Sequence, residues 1–236
     1  MPGKDRPPAS TKTTGGLHGR RKGKKLSAHR AGLMTRLLPE LTLDIGAPPP
    51  ATAADLFPLP VESVRLEIGF GGGEHLVSEA AASPSTGFIG VEPYINGMAK
   101  AVAAIAAREL RNIRLFGGDA ADLLDWLPPG SLARVDLLYP DPWPKKRHWK
   151  RRFVQRGSLD KLARVLKPRG ELRFASDIPG YVEWTLTHTI FRDDLSWTAR
   201  RADDWRKPWP GWPGTRYEAK ALKAGRVPAY LTFLHA

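Results

Sequence analysis

From Val64 onward, short apolar runs alternate with segments whose apolar residues recur at helical spacing. Val64–Ile68, Phe88–Val91, Ile113–Phe116, Val135–Tyr139 and Glu171–Ala175 have the length and composition of buried strands. The fourth of these reads as apolar on both faces. Between them, His75–Ala82, Asn96–Leu110, Ala121–Leu127, Leu159–Leu166 and Tyr181–Phe191 read as helices. The helix over Leu159–Leu166 stops before Pro168 and Gly170, as helices commonly do. A late strand is predicted at Tyr230–Leu234 and a weaker one near Trp197–Arg200. Strands that alternate with helices predict an α/β fold, a doubly wound, mostly parallel Rossmann-like sheet. Ligands of such sheets bind beyond the carboxyl ends of the strands.

The segment ahead of this pattern is different. Residues 1–26 are rich in Gly, Pro, Ser, Thr, Lys and Arg, a composition that cannot bury a core. Residues 1–30 are therefore read as a disordered basic tail, and 31–236 as a single domain with its core from about residue 62. A short helix is expected near Leu33–Leu38. Ala47–Ala54, with three consecutive prolines, reads as a linker or surface loop.

Charge sharpens the picture. The net charge is +13 over 236 residues. Residues 1–30 hold nine Lys/Arg against one acid, and residues 145–152 hold six Lys/Arg and no acid. The rest of the chain is close to neutral, so the positive charge forms two patches that suit a polyanion. The first thirty residues lack the apolar run of a secretory signal, although their composition is shared with transit peptides. No run of eighteen apolar residues occurs, so no membrane span is expected. Cysteine is absent, which excludes disulfides and thiolate chemistry. The six histidines show no ligand spacing, and no metal is expected. Nothing in the sequence fixes an oligomeric state.

Candidate chemistry begins at RLEIGFGGGEH. Gly69, Gly71 and Gly73 follow the first strand and form a turn that a cofactor can approach closely. A dinucleotide fingerprint calls for Gly or Ala at position 74, where this chain has Glu74. Glu67, at the strand end, would repel a pyrophosphate and attract a cationic ligand. Glu92 ends the second strand, where an acid can accept two ribose hydroxyls. Asp119 follows the third strand, placed to accept an adenine amino group. One acid after each of three strands suits S-adenosylmethionine, which has a ribose, an adenine and a positive sulfonium but no phosphate. Ordinary loop acids or helix caps are the alternative reading.

After the fourth strand comes YPDPWPKKRHWKRR. Pro140 and Pro142 stiffen the backbone around Asp141. Trp143 offers a face for stacking a base, and the basic run is placed to follow a phosphate backbone. Asp177 follows the fifth strand, and its alternative role is a helix N-cap. Trp205, Trp209 and Trp212 stand among basic residues, which fits RNA contact and packing under a loop equally well.

Together, EIGFGGG, GVEPY, GGDA, YPDPWPKKRHWKRR, FASD and TRYE resemble the bacterial tRNA (guanine-N7-)-methyltransferases over about Leu66–Phe233. The resemblance implies a cytoplasmic class I S-adenosylmethionine-dependent methyltransferase acting on a guanosine of tRNA, at position 46 of the variable loop. Carried onto matching residues, it implies that Glu67, Glu92, Asp119 and Asp141 contact S-adenosylmethionine and that Asp141 is catalytic. Lys145, Asp177, Thr215, Arg216, Tyr217 and Glu218 would contact the substrate. Arg147, His148, Trp149, Lys150, Arg151 and Arg152 would contact RNA. The chain departs from the family pattern at Tyr139, where Phe is common, at Trp149, which interrupts the basic run, and in its long tail. Two other readings compete: a methyltransferase for an exocyclic amine, which would usually carry Pro-Pro-Tyr or Pro-Pro-Phe after the fourth strand, and a non-enzymatic RNA-binding protein on the same fold.

Overall fold

In the computed structural model, which describes residues 21–236, the apolar runs pair into one sheet. Its strands are β1 (Ser63–Ile68), β2 (Thr86–Val91), β3 (Ile113–Phe116), β4 (Leu132–Leu138), β5 (Leu166–Ser176), β6 (Leu195–Trp197) and β7 (Ala229–His235). They lie in the order β3-β2-β1-β4-β5-β7-β6. The first five are parallel, and β7 runs antiparallel to both β5 and β6. The direction of winding reverses between β1 and β4, the place where such sheets hold ligands.

The helices are α1 (Ala28–Arg36), α2 (Leu38–Leu41), α3 (Glu74–Ala82), α4 (Ile95–Ala107), α5 (Ala120–Trp126), α6 (Arg156–Val165), α7 (Pro179–Thr189), α8 (Asp203–Arg206) and α9 (Arg216–Lys223). Successive strand residues point to opposite faces. Phe88 therefore joins Leu76, Val77, Val102 and Ile105 of α3 and α4, while Ile89 joins Leu123, Leu124, Leu159 and Leu162 of α5 and α6. In α6 the buried Leu159, Leu162, Ala163 and Val165 form one stripe, and Gln155 and Ser158 close a capping box at its start. Each such buried leucine contributes about 2 kcal/mol.

Several sequence expectations need correction. The tail expectation over residues 1–20 lies outside the described residues. Its remainder is not met: the Arg21 carbonyl accepts from Ile95 N, Gly23 N donates to Asn96 Oδ1, and α1 begins at Ala28 behind a Ser27 cap. Leu33, Met34 and Leu37 then pack on the α4 side of the core. The end of the expected linker Ala47–Ala54 enters a 3-10 turn, Ala53–Leu56, capped by Thr52 and Asp55. Pro168 and Gly170 lie inside β5, because α6 ends earlier, at Val165. β4 is not apolar on both faces. Asp136 is buried beside Glu67 in the β1–β4 register and pairs with Arg134 Nε at 2.8 Å. No helix among the described residues is long and apolar enough to cross a membrane.

Candidate active site

Glu67 is the penultimate residue of β1, and Glu92, Asp119 and Asp141 follow the carboxyl ends of β2, β3 and β4, so the topology gathers them along one edge of the sheet. Each is held in its own way. Glu92 Oε2 accepts from Gly71 N at 2.7 Å and Oε1 from Tyr94 N at 2.9 Å. A carboxylate oxygen has two lone-pair sites, so both oxygens still have acceptor capacity for a ligand. Burial pushes the Glu92 carboxyl above its usual range, with the Asp141 charge adding to the shift. Asp119 caps α5 by accepting from Ala121 N at 2.9 Å. Both of its sequence readings are thus compatible, because capping uses one oxygen.

Glu67 is not an isolated carboxylate. Its Oε2 lies 2.8 Å from His75 Nδ1, and both side chains are buried. Burial raises the Glu67 pKa and the His75 charge opposes that rise. For His75, burial disfavours the imidazolium, but Glu67 outweighs it and the pKa ends above the ordinary value. His75 had no signal in the histidine pattern, because its partner lies on another element.

The glycine loop is shaped by close approach. A Cβ on Gly97, in the first turn of α4, would lie 2.1 Å from the Gly71 carbonyl oxygen, so only glycine allows this approach. Gly69 has φ +74°, and the space where its Cβ would be is open. An open glycine cradle, ringed by acids and lined by no phosphate-binding cation of its own strand, fits a cationic nucleoside better than a dinucleotide. Among the described residues no group of three or more His, Asp or Glu is placed to hold a metal ion.

The segment after β4 turns sharply at both ends. Tyr139 has φ +51° and Trp143 φ +42°, conformations that cost a non-glycine residue roughly 1–2 kcal/mol each. The two prolines and these two strained residues hold Asp141 out at the mouth of the cleft. Its carboxylate accepts no hydrogen bond from protein among the described residues. Partial desolvation by the cleft walls raises its pKa.

Comparison with known proteins follows from this geometry. A family described as "Putative methyltransferase" matches residues 61–230. The tRNA (guanine-N(7)-)-methyltransferase of Rhodopseudomonas palustris strain HaA2 is 60% identical over 93% of this chain and 86% of its own length. The protein of that name from Rhizobium meliloti strain 1021 is 56% identical over 95% of this chain and 97% of its own. This chain belongs to the tRNA (guanine-N(7)-)-methyltransferase family. Solved structures share the fold at low identity. The 16S rRNA methyltransferase KamB superposes with a TM-score of 0.53 at 17% identity, over 75% of this chain and 89% of its own. An rRNA methylase from Streptococcus thermophilus gives 0.51 at 11%, over 77% and 90%.

Against this family background, the basic segment divides into two groups. Lys145 is exposed at the cap of a 3-10 turn, and Lys146, Arg147 and Lys150 are exposed on it. Arg151 lies over the Trp143 ring at 5.1 Å, so one face of that indole is covered by a guanidinium rather than offered to a base. Partial desolvation and the charges of Arg151 and Arg147 hold the His148 imidazole below its ordinary pKa. Arg152 is the exception to the expected RNA role. It is 4% exposed, donates to the Pro142 carbonyl at 2.9 Å and the Gly180 carbonyl at 3.0 Å, and lies near the rings of Trp149, Tyr181 and Trp184 at 4.9, 4.9 and 5.1 Å. Trp149 likewise packs edge-on against Trp184, which is why an indole interrupts the basic run.

Asp177 does not cap α7. Ile178 occupies the cap position without a side-chain bond, and Asp177 Oδ2 instead accepts from Arg226 Nε at 2.5 Å. In the family's Thr215–Glu218 segment, Thr215 and Glu218 form the capping box of α9. Glu218 is buried, accepts from Trp212 Nε1 at 2.7 Å and also receives the Tyr230 hydroxyl. Packing claims the tryptophans: Trp209 and Trp212 stack edge-on with each other and with Tyr230. Sequence reasoning passed over α9, although Thr-x-x-Glu is itself a helix-start signal.

Proposed function

We propose that this protein transfers the methyl group of S-adenosylmethionine to N7 of a guanosine in tRNA, at position 46 of the variable loop, in the cytoplasm. The observation that carries this reading is 60% identity across 93% of the chain with a relative of that name. Four separately held acids around an open glycine loop support it. Bound S-adenosylmethionine supplies a methyl group on a positively charged sulfonium. On this reading Glu92 would serve the ribose, Asp119 the adenine, and Glu67 with Gly69, Gly71 and Gly73 the amino-acid end.

Guanine N7 has an in-plane lone pair and no proton, so no general base is required. The product base is cationic. Asp141, unpaired among the described residues, is suited to stabilise that charge as it arrives. Asp177, already neutralised by Arg226, is suited to accept the N1–H and N2–H of guanine. Lys145 and the exposed cations beyond it would hold the phosphate backbone. Labelled S-adenosylmethionine and unmodified tRNA test the reading, with borohydride and aniline used to cleave at 7-methylguanosine. Cleavage in the variable loop is expected. Label without cleavage would point to a base amine, and tRNA binding without label to a non-enzymatic RNA-binding protein.

Two predictions arise here. Gly97→Ala drives a methyl group into the Gly71 carbonyl, so the loop must move. S-adenosylhomocysteine affinity should fall by roughly tenfold, with about 1–3 kcal/mol lost in stability, measured by calorimetric titration and thermal melting. Binding of tRNA should weaken steeply with salt, by roughly one order in slope for each phosphate neutralised. Lys150→Gln should lower that slope by about one in filter-binding titrations.

A further inference from the structure

The acids of the cleft answer the positive groups of S-adenosylmethionine, yet its amino-acid end also bears a carboxylate. None of Glu67, Glu92, Asp119 or Asp141 can receive that group. The structure brings one cation back over the glycine loop. Arg216 Nη2 lies 3.1 Å from the position a Gly71 Cβ would occupy, and the Tyr217 ring lies 3.4 Å from it. Arg216 is close enough to Glu92 to draw that carboxyl's pKa downward against the effect of burial. Its guanidinium donates to the Tyr217 hydroxyl at 3.0 Å and to no carboxylate among the described residues.

The anchoring of α9 explains this direction. Thr215 and Glu218 are held in place by the capping box and by Trp212 and Tyr230. Trp212 in turn stacks on His75, the partner of Glu67, with ring centroids 4.8 Å apart. The first turn of α9 is thereby fixed to the floor of the glycine loop. Within the Thr215–Glu218 segment that the family resemblance assigns to substrate, Arg216 and Tyr217 are the two residues that lie over the loop.

We propose that Arg216 binds the carboxylate of the S-adenosylmethionine amino-acid moiety, with Tyr217 as its brace, and so serves the cofactor rather than the RNA. This rests on the proposed function above. A guanidinium is matched to a carboxylate by its fork of donors, and the acids beneath it supply the complementary sites for the ammonium.

The test compares two ligands by calorimetric titration in the absence of tRNA: S-adenosylhomocysteine and its decarboxylated analogue, which differ only in the carboxylate. The wild-type protein should bind the first more tightly. Arg216→Gln should weaken S-adenosylhomocysteine binding about tenfold or more and leave the analogue's Kd unchanged, while Arg216→Lys recovers part of the loss. Equal weakening of both ligands, or of neither, overturns the proposal. A fall of about one in the tRNA salt slope with unchanged ligand discrimination would make Arg216 a phosphate contact instead. Failure of the wild-type protein to bind either nucleoside would reject the methyltransferase reading itself.

Discussion

Replacing Asp141 with alanine is expected to slow methyl transfer by roughly 10²–10³-fold, the usual effect of removing one fixed charge-stabilising group from an active site. The affinity for tRNA should stay close to that of the wild-type protein. The reason for the separation is geometric. Asp141 is carried on a stiff turn between Pro140 and Pro142, with left-handed residues at both ends, whereas the exposed cations begin at Lys145 on the following 3-10 turn. Removing the carboxylate leaves that turn and its charges intact. Asp141→Asn tests whether charge or shape matters. It keeps the shape and the hydrogen-bonding oxygen, so a comparable rate loss would identify the negative charge as the active quality. Single-turnover methylation with saturating tRNA measures the effect. Normal turnover by Asp141→Ala would reject the role.

At Arg152 the expected result is a loss of about 3 kcal/mol in stability on replacement by leucine, since two part-buried hydrogen bonds and a cation caged by three aromatic rings would disappear. For a chain of this size that lowers the Tm by roughly 6–12 °C. Methylation should fall as well. Pro142 adjoins Asp141, and Gly180 lies in the first turn of α7, just beyond Asp177, so this one guanidinium ties together the two loops that carry the proposed base-facing acids. Arg152→Lys should repair little, because a single ammonium cannot span both carbonyls as a planar fork does. The contrast with Lys150 is the deciding observation. Lys150→Gln should change the salt slope of tRNA binding and leave the Tm alone, and Arg152→Leu should do the reverse. A stable Arg152→Leu protein with a reduced salt slope would return this residue to the RNA interface.

How Asp141 and Asp177 divide their work is visible in their surroundings. Both follow parallel strands, and both look alike in sequence. One has no hydrogen-bonding or ion-pair partner among the described residues, and the other is fixed by Arg226. An unpaired charge has the larger effect on a cation forming beside it. A compensated one is better at presenting acceptor atoms in a set direction.

The sequence by itself determined the order of strands and helices through β5, the glycine loop, the acids at the strand ends and the Asp141 turn. These are local properties: hydrophobic period, a glycine after a strand, a proline on each side of a carboxylate. It also carried the α9 start as Thr-x-x-Glu, a signal legible within four residues. Only the tertiary structure decided which of the remaining residues face a ligand. Arg152 reads as one more cation in a basic run until Gly180, 28 residues on, accepts from it. Asp177 reads as a substrate contact or a helix cap, and only folding brings Arg226, 49 residues on, beside it. His75 reads as a stray histidine until β1 places Glu67 against it. Partners brought together by folding leave no period in the chain, and burial turns the same side chain from a charge offered to RNA into one that must be satisfied inside the protein.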